Sequence, residues 1–245
     1  MQEINYEVWK TKSLVESYLT DVRGAVPLAH EQFDVILRLI KLNGRSVETF
    51  LDLGSGDGIL SSVILSCYPD AKGVLLDISD HMMEAAQRKL KDFENNLDFI
   101  VYDYGSKEWV KKAEQKSPYD VIVSGLSIHH QPDQRKKEIY SEIYGLLKAG
   151  GIFINLEHVS SPTPWVNSLF EDCFADSLYK MHSKKDPSIT KEQVARELYN
   201  RSDKQANILA PVDKQCEWLR EIGFGDVDCY FKIYELAIFG GRKKA

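Results

Sequence analysis

Between residues 47 and 156, short apolar runs alternate with helical patterns, and no other feature constrains the fold as much. The strand candidates are residues 49–53, 73–77, 97–101, 120–124 and 151–157. The first, second, fourth and fifth are nearly continuous in apolar residues, as expected of strands covered on both faces. Residues 59–68, 81–93, 107–115 and 135–148 lie between them, each long enough for a helix. Asp80 stands where a cap for the second helix is expected; Pro132-Asp133 opens the fourth and Ala149-Gly150-Gly151 closes it. Such an order predicts an α/β fold, an open parallel sheet with helices on both faces. Nearer the C-terminus, residues 212–222 read as a helix, followed by strand-like runs 226–231 and 234–240. Too few residues separate these runs for a parallel crossover, so the last strand is expected to be antiparallel.

Ligands of such sheets sit beyond the carboxyl ends of the strands. Gly54, Asp77, Asp103 and Ser124 all fall at or just after these ends. The first end carries the segment Asp52-Leu53-Gly54-Ser55-Gly56-Asp57-Gly58, directly before an apolar helical pattern. Glycine lets backbone turn tightly and approach a ligand closely, and the following helix start offers unpaired N–H groups. Asp77 lies 23 positions after Gly54, near the ~20-residue offset at which these folds place a carboxylate on a ribose. A nucleoside-bearing ligand follows. A dinucleotide fingerprint needs its third glycine three positions after the second, and Ile59 stands there, which argues against NAD.

The formal charge of −6 provides no global basic field, so nucleic acid is not expected as a direct substrate. Arg242-Lys243-Lys244 reads as a solvated tail. No apolar stretch reaches a membrane span and the first residues lack a signal-peptide pattern. Cys67, Cys173, Cys216 and Cys229 form no Cys-x-x-Cys pair, so no metal site is indicated; Cys67 and Cys216 read as buried, reduced filler. A cytoplasmic location is expected.

Taken together, these motifs resemble the class I S-adenosylmethionine-dependent methyltransferases over roughly residues 47–240. The glycine segment matches that family's loop and Asp77 its ribose-binding acid. Asp103-Tyr104 matches its adenine-contacting segment, and residues 119–124 and 146–151 match its fourth strand and the approach to its fifth. The resemblance implies a seven-stranded Rossmann-like sheet with an antiparallel last strand and S-adenosyl-L-methionine as cofactor. Within the family, residues 18–27 and Trp218-Leu219…Gly223-Phe224…Tyr230-Phe231-Lys232 resemble carboxy-S-adenosylmethionine synthases of tRNA wobble-uridine modification. Those carry an arginine before the last helix for the extra carboxylate; Asn207-Ile208-Leu209-Ala210-Pro211 has none. Ordinary S-adenosylmethionine is therefore the expected cofactor, with a carboxylated sulfonium as the alternative and a non-catalytic binding module as the third reading.

The expected cofactor contacts are Arg23 (for the methionine carboxylate), Gly54, Ser55, Gly56, Asp77, Ile78, Met82, Asp103, Tyr104 and Ser124. Arg23 could equally be a surface arginine, and Met82 a core residue. His129, directly after the fourth strand, is the candidate for taking a proton, with Glu157 as a second candidate acid–base group. His129-His130 could instead orient their loop. The expected organisation is a single domain, 1–245: an N-terminal helical cap (1–45), a cofactor-binding core (46–160), a small helical lid (161–211) and a C-terminal helix with a strand hairpin (212–245). Trp165, Phe170, Phe174 and Tyr179 fall at a spacing that commonly means packing, but an insertion after the fifth strand overlies the active edge, so a lid around an apolar, small-molecule acceptor is expected. A homodimer is a further expectation.

Overall fold

The computed structural model describes residues 6–19, 23–200, 204 and 206–245. The strands are β1 (Thr49–Leu53), β2 (Lys72–Asp77), β3 (Leu97–Val101), β4 (Tyr119–Gly125), β5 (Leu147–His158), β6 (Gly225–Ile233) and β7 (Leu236–Arg242). They form one sheet in the order β3-β2-β1-β4-β5-β7-β6. β1 through β5 pair in parallel, and β7 runs antiparallel to both β5 and β6. The seven-stranded sheet with a reversed β7 is the fold that the apolar runs and the short final linkage imply.

The helices are α1 (Lys12–Ser17), α2 (Ala29–Leu42), α3 (Ile59–Cys67), α4 (Asp80–Lys89), α5 (Trp109–Ala113), α6 (Asp133–Leu146), α7 (Pro164–His182), α8 (Lys191–Tyr199) and α9 (Val212–Ile222). Successive strand residues point to opposite faces, and the two halves of the core divide accordingly. Leu51, Val74, Ile122 and Phe153 meet α5, α6 and α9 on one face. Phe50, Leu75, Val121 and Ile154 meet α2, α3 and α4 on the other. The near-continuous apolar strands are thus a consequence of burial on both faces.

Three local expectations need correction. Ser79, not Asp80, caps α4: its Oγ accepts from Met82 N–H at 3.3 Å, and Asp80 is the helix's first residue. Gly150-Gly151 do not close α6, because Leu147 is already extended (φ −75°, ψ 142°) and the glycines lie within β5. There β5 shifts register against β4 between Tyr119 and Val121, with Gly150 at φ +76°. Cys67 ends α3 exposed, whereas Cys216 is buried as expected. Among the described residues no helix is long and apolar enough to cross a membrane.

β2 lies on one side of β1 and β4 on the other, so chain direction through the sheet reverses at β1. A crevice opens at the carboxyl ends of strands on either side of such a reversal. Close packing beside β1 is tight: a Cβ on Gly73 would fall 2.2 Å from Cζ of the buried Phe50 ring. Gly73→Ala should therefore lower unfolding stability by about 1–3 kcal/mol, the usual cost of overpacking a filled core. Urea titration of the two proteins measures the difference.

Candidate active site

At the end of β1 the chain turns through Gly54 and Gly56, both in the left-handed region (φ +67° and +53°). Gly54 and Ser55 donate their N–H groups to Leu76 O at the end of β2, at 2.7 and 3.1 Å. Gly56 N–H donates to Asp77 Oδ2 at 2.8 Å, and Ser79 N–H to Oδ1 at 2.9 Å. The acid thus braces the loop while its own carboxylate borders the cleft. Burial raises the Asp77 carboxyl above its ordinary range, partly opposed by hydrogen bonds from Ser79, Gly56 and Ile78.

Around this loop lies a cleft with about 840 Å³ of non-atom space, open solvent included. Of the ten expected cofactor contacts, Gly54, Ser55, Gly56, Asp77, Ile78, Met82, Asp103 and Tyr104 line it. Ser124 does not. Its hydroxyl is fully buried and donates to Leu53 O at 2.7 Å, because at that register its side chain faces β1 rather than the strand end. Arg23 begins a short 3₁₀ segment, Arg23–Ala25, and its side chain lies outside the described residues.

Sequence reading missed several cleft residues. Ser127 meets Tyr104 Oη at 2.6 Å through its Oγ, and Asp52 accepts from Ser61 N–H and Oγ (3.0 and 2.7 Å) at the start of α3. Trp9 and Tyr18, packed edge to face at 5.2 Å between ring centroids, reach the cleft from the N-terminal segment. Two aromatics in a polar segment and the place of Asp52 at the head of the glycine motif were the available signals; Ser127 carries none.

The cleft fits an adenosyl sulfonium on two counts. A Cβ on Gly54 would fall 1.9 Å from Ser127 Oγ, so at this turn only bare backbone passes. The Ser55 hydroxyl is buried in the cleft wall without a hydrogen-bond partner among the described residues, as a ligand-contacting group would be. The loop and Asp77 could hold the adenosyl portion, with Met82 and Ile78 as the apolar cover. No group of three or more His, Cys, Asp or Glu among the described residues could hold a metal ion.

A second cavity, of about 1170 Å³ counted the same way, shares Trp9, Tyr18, Leu126 and His130 with the first. α7 contributes Asn167, Phe170, Glu171 and Phe174 to its wall. His129 lines this cavity, and its Nδ1 lies 2.5 Å from Glu157 Oε1. Glu157 is sealed from both cavities and also accepts from His129 N–H (3.0 Å) and His158 N–H (2.9 Å). Burial pushes its carboxyl up to about 7, against the pull of the His158 N–H and of His130, Lys136 and His158. His130 donates from Nδ1 to Ala206 O at 3.1 Å, a loop-fixing role. The two candidate acid–base residues are therefore one unit, the histidine facing the cavity and the carboxylate behind it.

Comparison with known proteins agrees with this geometry. A family model described as "Methyltransferase domain" matches residues 50–151. A malonyl-[acyl-carrier protein] O-methyltransferase of Ilyobacter polytropus is 39% identical over 101 residues, 41% of this chain and 34% of that protein. The carboxy-S-adenosyl-L-methionine synthase of Nautilia profundicola is 21% identical over 88% of this chain and 86% of its own length. Human N-acetylserotonin methyltransferase, solved in complex with S-adenosylmethionine, shares the fold with a TM-score of 0.62 at 16% identity, covering 100% of this chain and 60% of that one. The chain spans about a third of the Ilyobacter relative it matches. Over residues 50–151 the chain is thus similar to the methyltransferase-domain family, and along its length it shares the fold of a solved methyltransferase.

Proposed function

We propose that this protein transfers the methyl group of S-adenosylmethionine to a small-molecule acceptor held in the second cavity. The observation that carries this reading is the shared wall of Trp9, Tyr18, Leu126 and His130, which brings an acceptor chamber up against the glycine loop and Asp77. Bound S-adenosylmethionine supplies a methyl already activated on a sulfonium, so the protein's task is alignment in a water-poor chamber.

The chain's own residues divide the work. Asp77 and the Gly54–Ser55–Gly56 turn bind the adenosyl group. α7 and α8 act as a lid whose Phe170 and Phe174, stacked at 5.8 Å, keep water from the acceptor. His129 takes the acceptor proton through Nε2, and Glu157 fixes the ring by accepting from Nδ1. Ionised Glu157 stabilises the imidazolium that forms, so turnover is expected to rise as pH passes through about 7.

A second reading has one observation behind it. The Nautilia profundicola carboxy-S-adenosyl-L-methionine synthase matches across most of both chains, whereas the malonyl-[acyl-carrier protein] O-methyltransferase matches only the core. Incubation with S-adenosylmethionine and prephenate separates the two. A carboxylated sulfonium in the mass spectrum supports the second; S-adenosylhomocysteine release with a small-molecule acceptor supports the first.

Three measurements test the assignment. Asp77→Ala should weaken S-adenosylhomocysteine binding by about 1–3 kcal/mol, the range for bonds to a charged group; unchanged affinity in calorimetry would remove Asp77 from the ligand. His129→Ala should lower kcat by roughly 10²–10⁴-fold, the usual contribution of a positioned base, on the best acceptor from a hydroxyl, carboxyl and amine panel, with cofactor affinity kept. The third concerns stability. Glu157 has a folded-state pKa of about 7 against an ordinary 4.5, so across that window the folded state keeps a proton the unfolded chain has lost. Stability should then fall as pH rises from 4.5 to 7. Thermal melts of Glu157→Gln should show that fall reduced.

A further inference from the structure

The second cavity holds another histidine–carboxylate pair that the methyl-transfer reading leaves unused. His158, one fifth exposed at the end of β5, places Nε2 at 2.8 Å from Glu235 Oε2. Glu235 sits in the turn between β6 and β7, only 2% exposed, and both residues line the cavity. Its other oxygen, Oε1, accepts from Asn167 Nδ2 of α7 at 2.9 Å. The turn itself is tied back to β5, because Val159 N–H donates to Glu235 O at 2.7 Å. Three chain segments therefore fix the orientation of one imidazole.

The hydrogen positions follow from chemistry. Burial alone would raise the Glu235 carboxyl, but bonds from His158 and Asn167 hold it below its usual range. An ionised carboxylate can only accept, so His158 Nε2 carries the hydrogen toward Glu235, and in the uncharged tautomer Nδ1 is the acceptor. Nδ1 makes no hydrogen bond with any described residue. It is, beside His129 Nε2, an atom of this cavity's wall that can accept from a donor. The ring lies 5.7 Å from that of His129, and 5.3 Å from that of Phe170, centroid to centroid.

Resting on the acceptor-cavity reading above, we propose that His158 is a specificity residue that selects acceptors with two hydroxyl groups on adjacent or next-adjacent carbons of a flat, apolar body. One hydroxyl gives its proton to His129 and is methylated. The second donates to His158 Nδ1 and sets which of the two reacts. Phe170, Phe174 and Trp9 form the apolar walls that a flat ring system fits. A singly hydroxylated analogue leaves the His158 lone pair unpaired inside the cavity, and a site built to bond a hydroxyl rejects the analogue lacking it.

The test compares 2,3-dihydroxynaphthalene with 2-naphthol, each titrated into the full chain saturated with S-adenosylhomocysteine and read by tryptophan fluorescence. The wild type should bind the diol at least tenfold more tightly. His158→Ala should bring the two affinities within about twofold, a hydrogen bond's share of discrimination being of that order. His158→Gln, which keeps an acceptor, should retain part of the preference, and S-adenosylhomocysteine affinity should hold in both variants. Equal affinities in the wild type, or the same preference in His158→Ala, would overturn the proposal. Methyl release, measured separately with both compounds, bears on the catalytic reading: diol preference without turnover would sink that reading and leave the selectivity of the cavity standing.

Discussion

One hydrogen bond, from Gly56 N–H to Asp77 Oδ2, connects the loop after β1 to the end of β2, and the cleft depends on it. Reinforced by the Gly54 and Ser55 N–H groups on Leu76 O, it turns two adjacent strand ends into a single rigid rim. The sheet supplies the alignment, because β1 and β2 pair in register with Leu53 opposite Leu76. The acid is therefore both a structural brace and a polar group bordering the cleft. That double duty explains why a buried carboxylate is tolerated here: backbone N–H groups compensate for water lost from its oxygens.

Much of this was legible in the sequence, for reasons specific to each element. The parallel strands announced themselves because burial on both faces demands continuous apolar residues, as at Val74, Leu75 and Leu76. The reversed β7 followed from linkage length alone. Eight of ten proposed cofactor contacts line the cleft because a glycine turn and a strand-end acid are local features. Ser124 failed as a contact because strand-end position does not say which way a side chain turns within the pleat. Asp80 and Ser79 are adjacent candidate caps, and only backbone geometry decides between them.

What escaped the sequence is non-local. Ser127 and Tyr104 meet across two loops, and His158 and Glu235 meet across 77 positions of chain. No periodicity or spacing links such pairs; the antiparallel pairing of β5 with β7 creates the second one. The same pairing shapes the second cavity, since it places the β6–β7 turn beside the end of β5 and lets Asn167 of α7 anchor there. The cleft at the glycine loop is thus written in short motifs, whereas the second cavity is assembled by tertiary structure.

The absence of space at Gly54 has a genetic consequence. A methyl group there would land on the Ser127 hydroxyl, which itself meets Tyr104. Position 54 can therefore not drift alone: a larger residue there demands a smaller one at 127, and the tyrosine then loses its partner. In descendants of this chain, a side chain at position 54 should appear only together with a smaller residue at 127.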